Sequence, residues 1–144
     1  MKTVPSEEAL LEAAWAAREN AYAPYSQFQV GAAVLASSGH IYGGANVENV
    51  AYPVGLCAER SAVAAAVSAG EREIVAVAIV AATQSPPTPC GMCRQTLFEF
   101  GLDIQVVSAD TSGERCRHTL AELLPQEFGR RDLAQATGQD YEEG

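Results

Sequence analysis

Apolar residues in the first stretch of the chain recur at helical spacing. Leu10, Leu11, Ala14, Ala17 and Ala21 share a face between Glu7 and Ala21, with Glu8, Glu12 and Glu19 among the polar positions. This pattern predicts an amphipathic helix, and Ser6 stands where a capping hydroxyl is needed. After Ala23-Pro24-Tyr25-Ser26, which reads as a turn, the pattern changes to two short runs, Phe28 to Ala36 and Ile41 to Ala45, separated by Ser37-Ser38-Gly39-His40. A hairpin of two strands is predicted there. From Ala58 to Ala69, Ala and Val stand at almost every position, which predicts a helix buried all round and ended by Gly70. Ile74 to Ala82 is a continuous apolar run, suited to a central strand covered on both faces.

The segment Gln84-Ser85-Pro86-Pro87-Thr88-Pro89 cannot be helical. A helix from about Gly91 to Phe100, stopped by Gly101, should follow, and then a strand from Ile104 to Ser108. Asp110-Thr111-Ser112-Gly113 signals a turn into a strand near Arg115 to His118, paired antiparallel at the sheet edge. Thr119 to Leu124 predicts a short helix stopped by Pro125, and the polar stretch after Asp132 predicts a mobile tail. Two successive strand–helix–strand passages imply right-handed crossovers and a sheet with helices on both sides. The hairpin and the last turn make that sheet mixed. The whole expectation is one α/β domain over residues 1–144, without repeats or a linker.

Composition supports a globular chain, since 48% of the residues are hydrophobic and no disulfide framework is needed to build a core. The formal charge of −9 opposes a phosphate-tracking surface, because nucleic-acid binders gain affinity by neutralising phosphates. Lys2 is the only lysine, and the adjacent pair Arg130-Arg131 reads as a solvated face. A small soluble substrate is expected, not a nucleic acid. No apolar run approaches the roughly 18 to 20 residues of a spanning helix. The N-terminus also lacks a basic region followed by an apolar one, so no membrane association and a cytoplasmic location are expected.

Chemistry concentrates in two short motifs, Cys57-Ala58-Glu59-Arg60 and Pro89-Cys90-Gly91-Met92-Cys93-Arg94-Gln95. Each begins at a predicted helix start, where unpaired backbone N–H groups and the positive dipole end lower a thiol pKa. Cys90 and Cys93, three apart on a helix, can point the same way and share a metal. Cys90-Cys93 alone is equally compatible with a zinc knuckle or a redox pair, and Glu59 alone with a carboxylate that favours the helix dipole. Together, three thiols and a carboxylate that need not ligate the metal are the equipment for activating water at one Zn²⁺ with an open fourth position. Cys116 is left over as a small hydrophobe, and His40 and His118 have no metal spacing to the cysteines.

The two motifs resemble those of the cytidine deaminases in their small three-cysteine nucleoside form. Pro24-Tyr25-Ser26-Gln27-Phe28-Gln29-Val30-Gly31-Ala32-Ala33, Asn46-Val47-Glu48-Asn49 and Glu122-Leu123-Leu124-Pro125 with Phe128-Gly129 are similar to that family's other segments, in its order. The resemblance covers about Leu10 to Leu133. It implies a three-layer α-β-α fold around a five-stranded mixed sheet, with Zn²⁺ held by Cys57, Cys90 and Cys93. Glu59 would carry protons during hydrolysis of cytidine or 2′-deoxycytidine to the uracil nucleoside and ammonia, in pyrimidine salvage. Asn46 and Glu48 would bind the sugar, Phe28 would pack the pyrimidine, and Ala58, Tyr52 and Phe128 would lie at the substrate pocket, the last reaching in from a neighbouring subunit of a homotetramer. Arg60 is positioned to donate to a ligand thiolate and withdraw charge from the metal. Ala45 stands where the family often has Cys, without consequence for the chemistry.

Other readings stay open on sequence alone. They are deamination of a modified cytosine nucleoside or an antibiotic of blasticidin type, polynucleotide editing, and a zinc-stabilised binding protein without turnover. The Asn46-Glu48 pair favours an ordinary ribose, the lack of a basic track disfavours a polynucleotide, and Glu59 disfavours a protein without turnover.

Overall fold

The structure, a computed structural model, describes residues 5–140. Helix α1 (Glu7–Arg18) begins at Ser6, whose side chain accepts from the Ala9 N–H, with Glu7 and Glu8 in its first turn. Strands β1 (Val30–Ala36) and β2 (Ile41–Ala45) form the expected hairpin. They are followed by α2 (Ala58–Ser68), β3 (Ile74–Ala81), α3 (Gly91–Phe98), β4 (Gln105–Ala109), β5 (Arg115–Thr119), α4 (Leu120–Leu123) and α5 (Arg130–Thr137). The five strands lie in the order β2-β1-β3-β4-β5. Only β3 and β4 pair in parallel, so the sheet is mixed.

Alternation along the strands divides the core into two layers. Ala33 and Leu35 of β1 with Ala78 and Val80 of β3 pack against Leu10, Leu11 and Ala14 of α1. Ala32 and Val34 with Val77 and Ile79 face the other way, onto Ala58, Ala62, Val63 and Ala66 of α2, Leu97 of α3 and Leu120 of α4. The result is the expected three-layer α-β-α arrangement. Across the sheet top, Glu7 bonds both Arg115 and Arg117 of β5. Those guanidinium groups, Arg117 foremost, hold the Glu7 carboxyl below the usual carboxylate range against its partial burial. This tie is present above that range and lost as pH falls through it, and being largely solvated it contributes about 0.2–1 kcal/mol.

Helix α2 carries the first motif, and its seat on the sheet depends on Gly44. A Cβ there would lie 2.3 Å from the Ala62 nitrogen and 2.7 Å from the Ala58 carbonyl oxygen, both backbone atoms of α2. Gly44→Ala must therefore lift the helix whose first turn carries Cys57 and Glu59. The expected cost is about 1–3 kcal/mol of stability, read as a lower urea midpoint at unchanged m-value.

Several boundaries differ from the sequence expectation for physical reasons. Strand β1 starts at Val30, not Phe28, because Gln27 has φ 57° and the Asn46 side chain bonds Phe28 O and Val30 N in place of a ladder. Helix α1 ends at Arg18, whose Nε donates to Gln29 O, and Tyr22 instead pairs with Val47. Helix α2 is not buried all round: Ala64, Ala65, Ser68 and Ala69 are exposed, since the sheet covers one side only. A short 3₁₀ turn over Tyr52–Val54 was not expected. The polar C-terminal stretch, expected to be a mobile tail, is helical through Thr137. Asp132 accepts from the Gly129 N–H at 2.8 Å, and Arg130 pairs with Glu99 of the segment after α3 at 2.9 Å. The last four residues of that stretch lie outside the described residues.

Candidate active site

Strands β2 and β3 both run antiparallel to β1, so their C-terminal ends point the same way and deliver the chain into α2 and α3 side by side. Cys57 is the N-cap residue of α2 and Cys90 that of α3, and neither side chain is spent on capping its helix. Cys93, in the first turn of α3, is fully buried, while Cys57 is half-buried and Cys90 exposed. The three Sγ atoms lie within 4.8 Å of one another, with Cys90 and Cys93 at 3.5 Å. No other metal-holding cluster of this kind exists among the described residues.

A tetrahedral centre with Zn–S bonds of about 2.3 Å separates its sulfurs by about 3.8 Å, so the cluster fits such an ion. The protonation chemistry fits as well. Burial pushes the Cys93 thiol far up, and the Glu59 carboxylate and the neighbouring sulfurs push in the same direction. At Cys90 burial also opposes the thiolate, but the hydrogen bonds from Cys93 and Cys57 outweigh it and hold the thiol below its ordinary value. The sequence expectation of helix starts that lower thiol pKa values therefore holds in direction at Cys90. It does not extend to Cys93, which sits deeper, between a carboxylate and two sulfurs. A divalent cation is what allows all three to be thiolates together.

Glu59, in the first turn of α2, is only 5% exposed. Burial raises its carboxyl pKa against the opposing pull of its own backbone N–H, the Cys93 thiol and the Arg60 charge. Arg60 donates through Nη2 to Gly55 O at 3.3 Å and to Cys57 Sγ at 3.7 Å, and the Cys57 sulfur is the chief cause of its raised pKa. Its Nε is buried without a hydrogen-bond partner among the described residues.

The expected sugar-binding pair is placed together but engaged. Asn46 Oδ1 accepts from Val30 N and its Nδ2 donates to Phe28 O. Glu48 Oε1 accepts from the Tyr25 and Ser26 N–H groups at 3.0 Å, and Oε2 accepts from Ser26 Oγ. These bonds, the Ser26 hydroxyl first, hold the Glu48 carboxyl below its ordinary pKa. One lone pair on Asn46 Oδ1, one hydrogen on Nδ2 and one lone pair on Glu48 Oε2 remain. Between them, Val47 bridges Tyr22 on one side and Leu56 on the other, so the same segment ties the 22–28 turn to the residue before Cys57.

Tyr25, Ser26, Glu48, Asn49, Tyr52 and Gly55 line an open cavity of about 330 Å³. Tyr52 and Tyr25 meet edge to face across it, 6.0 Å between ring centres. Ala58 is buried, whereas Phe28, Tyr52 and Phe128 are exposed, Phe128 at 61%. A larger cavity of about 660 Å³ lies where β3 starts and α3 and α5 meet, at the opposite strand ends, and contains no cysteine.

Two residues went unrecognised in the sequence. Arg94 donates to Pro89 O at 2.7 Å, to Leu123 O at 2.8 Å and to Thr88 Oγ1, so it fixes the approach to Cys90. Gln95 donates to Phe128 O at 2.7 Å. Their place directly after Cys93 in the second motif was the available signal.

Three clustered thiols and a buried carboxylate, at the C-terminal ends of parallel strands in a three-layer α-β-α domain, define a metal-assisted hydrolytic site. Residues 5–109 match the family model described as cytidine and deoxycytidylate deaminase zinc-binding region. A cytidine deaminase from Sporosarcina psychrophila is 47% identical over 133 residues, spanning 92% of this chain and 98% of that protein. One from Halalkalibacterium halodurans is 46% identical over 125 residues, 86% of this chain and 95% of that one. The crystal structure of cytidine deaminase from Burkholderia pseudomallei superposes with TM-score 0.83 at 44% identity, covering 86% of this chain and all of the other. The chain belongs to the cytidine deaminase family. The resemblance drawn from its motifs, the fold that resemblance implied and the zinc cofactor are thereby borne out.

Proposed function

We propose that this chain is a zinc-dependent hydrolase that converts cytidine and 2′-deoxycytidine to uridine and 2′-deoxyuridine, with water consumed and ammonia released. The observation that carries this reading is the buried Glu59 carboxylate in the helical turn directly after Cys57, beside a three-sulfur cluster. Zinc held by Cys57, Cys90 and Cys93 supplies the Lewis acidity that makes water a nucleophile at neutral pH. Glu59 would take one proton of the attacking water and pass it to ring N3 as oxygen joins C4. It would then take the remaining hydroxyl proton and deliver it to the amino group, so that the C4–N bond breaks, ammonia leaves and the C4 carbonyl forms. One carboxylate would move every proton.

Asn46 and Glu48 hold the sugar through the lone pairs and hydrogen their loop contacts leave free, Phe28 packs the pyrimidine, and Ala58 contributes to the pocket from the first turn of α2. Three thiolates from Cys57, Cys90 and Cys93 would crowd negative charge onto a bound cation and weaken its pull on water. Arg60 counters this by drawing charge from Cys57. Arg60→Gln is expected to return charge to Cys57, change the zinc affinity and move the rising limb of the pH–rate profile to higher pH, and a variant unchanged in both excludes the tuning role.

The exposed Tyr52, Val54, Met92 and Phe128, with the Ala64 and Ala65 face of α2, support a homotetramer in which Phe128 completes a neighbour's site. A cytoplasmic role in pyrimidine salvage accords with a small nucleoside substrate. No helix among the described residues is long and apolar enough to cross a membrane. A panel of nucleosides assayed by loss of cytosine absorbance tests the substrate assignment. Turnover of cytidine and 2′-deoxycytidine is expected, and turnover only of a modified cytosine nucleoside overturns it.

A further inference from the structure

The 25–28 turn does more than border the pocket. The Phe28 N–H donates to Ser26 Oγ at 3.1 Å, and that hydroxyl donates onward to Glu48 Oε2. The Ser26 and Tyr25 N–H groups fix the other carboxylate oxygen. Between Ser26 and Phe28, Gln27 holds φ 57°, a left-handed conformation that a non-glycine residue keeps only when its surroundings impose it. One hydroxyl thus joins the backbone of Phe28 to the carboxylate of Glu48.

We propose that Ser26 is a positioning residue that sets the Glu48 carboxylate for the sugar hydroxyls and holds it in register with the Phe28 ring. The inference rests on the reading of Glu48 as a sugar ligand and adds the residue that aims it. With Oε1 taken by two N–H groups and Oε2 by the Ser26 hydroxyl, the remaining Oε2 lone pair has a single direction. Without that hydroxyl Oε2 loses the donor that sets its free lone pair and is held only indirectly through Oε1, and the Phe28 N–H loses its acceptor. Binding of a nucleoside with sugar hydroxyls should then weaken, while proton transfer at Glu59 on α2 stays intact.

The test compares cytidine with 2′,3′-dideoxycytidine, which lacks both ring hydroxyls, in the zinc-loaded wild type, Ser26→Ala, Ser26→Thr, Glu48→Gln and the Ser26→Ala/Glu48→Gln pair. Zinc content and thermal midpoint are measured on each. Ser26→Ala is expected to raise KM for cytidine about tenfold with kcat within about twofold, and to narrow the preference for cytidine over the dideoxy substrate. Ser26→Thr, which keeps a hydroxyl, should restore both. The paired variant should be no worse than Glu48→Gln alone, because the two residues act as one unit. The proposal is overturned if Glu48→Gln abolishes the preference while Ser26→Ala leaves it intact. It is equally overturned if Ser26→Ala lowers kcat at unchanged KM, or if threonine fails to rescue a Ser26→Ala variant of wild-type stability. Should Glu48→Gln itself leave the preference unchanged, the sugar reading fails and takes the proposal with it.

Discussion

Glu59→Gln is expected to bind zinc as the wild type does and to release almost no ammonia from cytidine. Glutamine preserves the volume of a side chain that is almost completely buried, so the packing of α2 against the sheet has no reason to change. The three sulfurs are untouched, and the substitution removes a negative charge that otherwise opposes the Cys93 thiolate. Zinc affinity should therefore be kept or slightly raised. On the proposed mechanism, what is lost is the proton carrier. A single general acid or base contributes typically 10²–10⁴-fold, and since Glu59 serves successive transfers the loss should reach at least the upper end, about 10⁴-fold in kcat. Metal analysis and an ammonia assay on one preparation read both halves. Retained activity would assign the proton transfers elsewhere.

Cys93→Ala should also abolish turnover, but by the opposite route. Cys93 is the most buried of the three thiols and lies 3.5 Å from Cys90, so its removal leaves two sulfurs at the rim of the site. Losing an outer partner of a metal ligand costs about 10–100-fold in affinity, and losing a ligand should cost more than that. The variant is expected to purify with substoichiometric zinc and to unfold at a lower temperature than the loaded wild type, because zinc bound only by the folded state stabilises it by mass action. Added zinc should raise the wild-type midpoint after chelation and leave that of Cys93→Ala nearly still. The two variants thus separate the roles: one loaded and inactive, the other inactive because it is not loaded.

The fold was legible where one chain buries its own pattern. The periodicity of α1, the continuous apolar run of β3 and the two crossovers predict helices on both sides of a mixed sheet, which is what α1 on one face and α2 with α3 on the other provide. Legibility ended where structure depends on residues distant in sequence. The start of β1 is set by Asn46, sixteen positions away, and α5 depends on Glu99 as well as its own cap. The all-apolar α2 read as buried throughout, yet a single sheet covers one side of it and leaves Ala64 and Ala65 exposed, and sequence pattern does not distinguish an apolar surface hidden by a sheet from one that is not.

The site divides in the same way. The cluster of Cys57, Cys90 and Cys93 was legible because their spacing at helix starts is itself the chemistry, and the structure brings the three sulfurs together and buries Glu59 in the same helical turn. The Asn46 and Glu48 contacts were not, since both side chains bind the 25–30 turn through atoms that sequence alone would assign wholly to a ligand. Arg94 escaped notice because its partners, Pro89 and Leu123, are backbone carbonyls with no sequence signature.

The most direct test of the central claim is to measure zinc content and ammonia released from cytidine on the same wild-type preparation, before and after chelation and zinc restoration. The account predicts about one zinc per chain, ammonia released in step with loss of cytidine, and activity that disappears with the metal and returns with it. Fully zinc-loaded, folded protein that releases no ammonia from cytidine would contradict it.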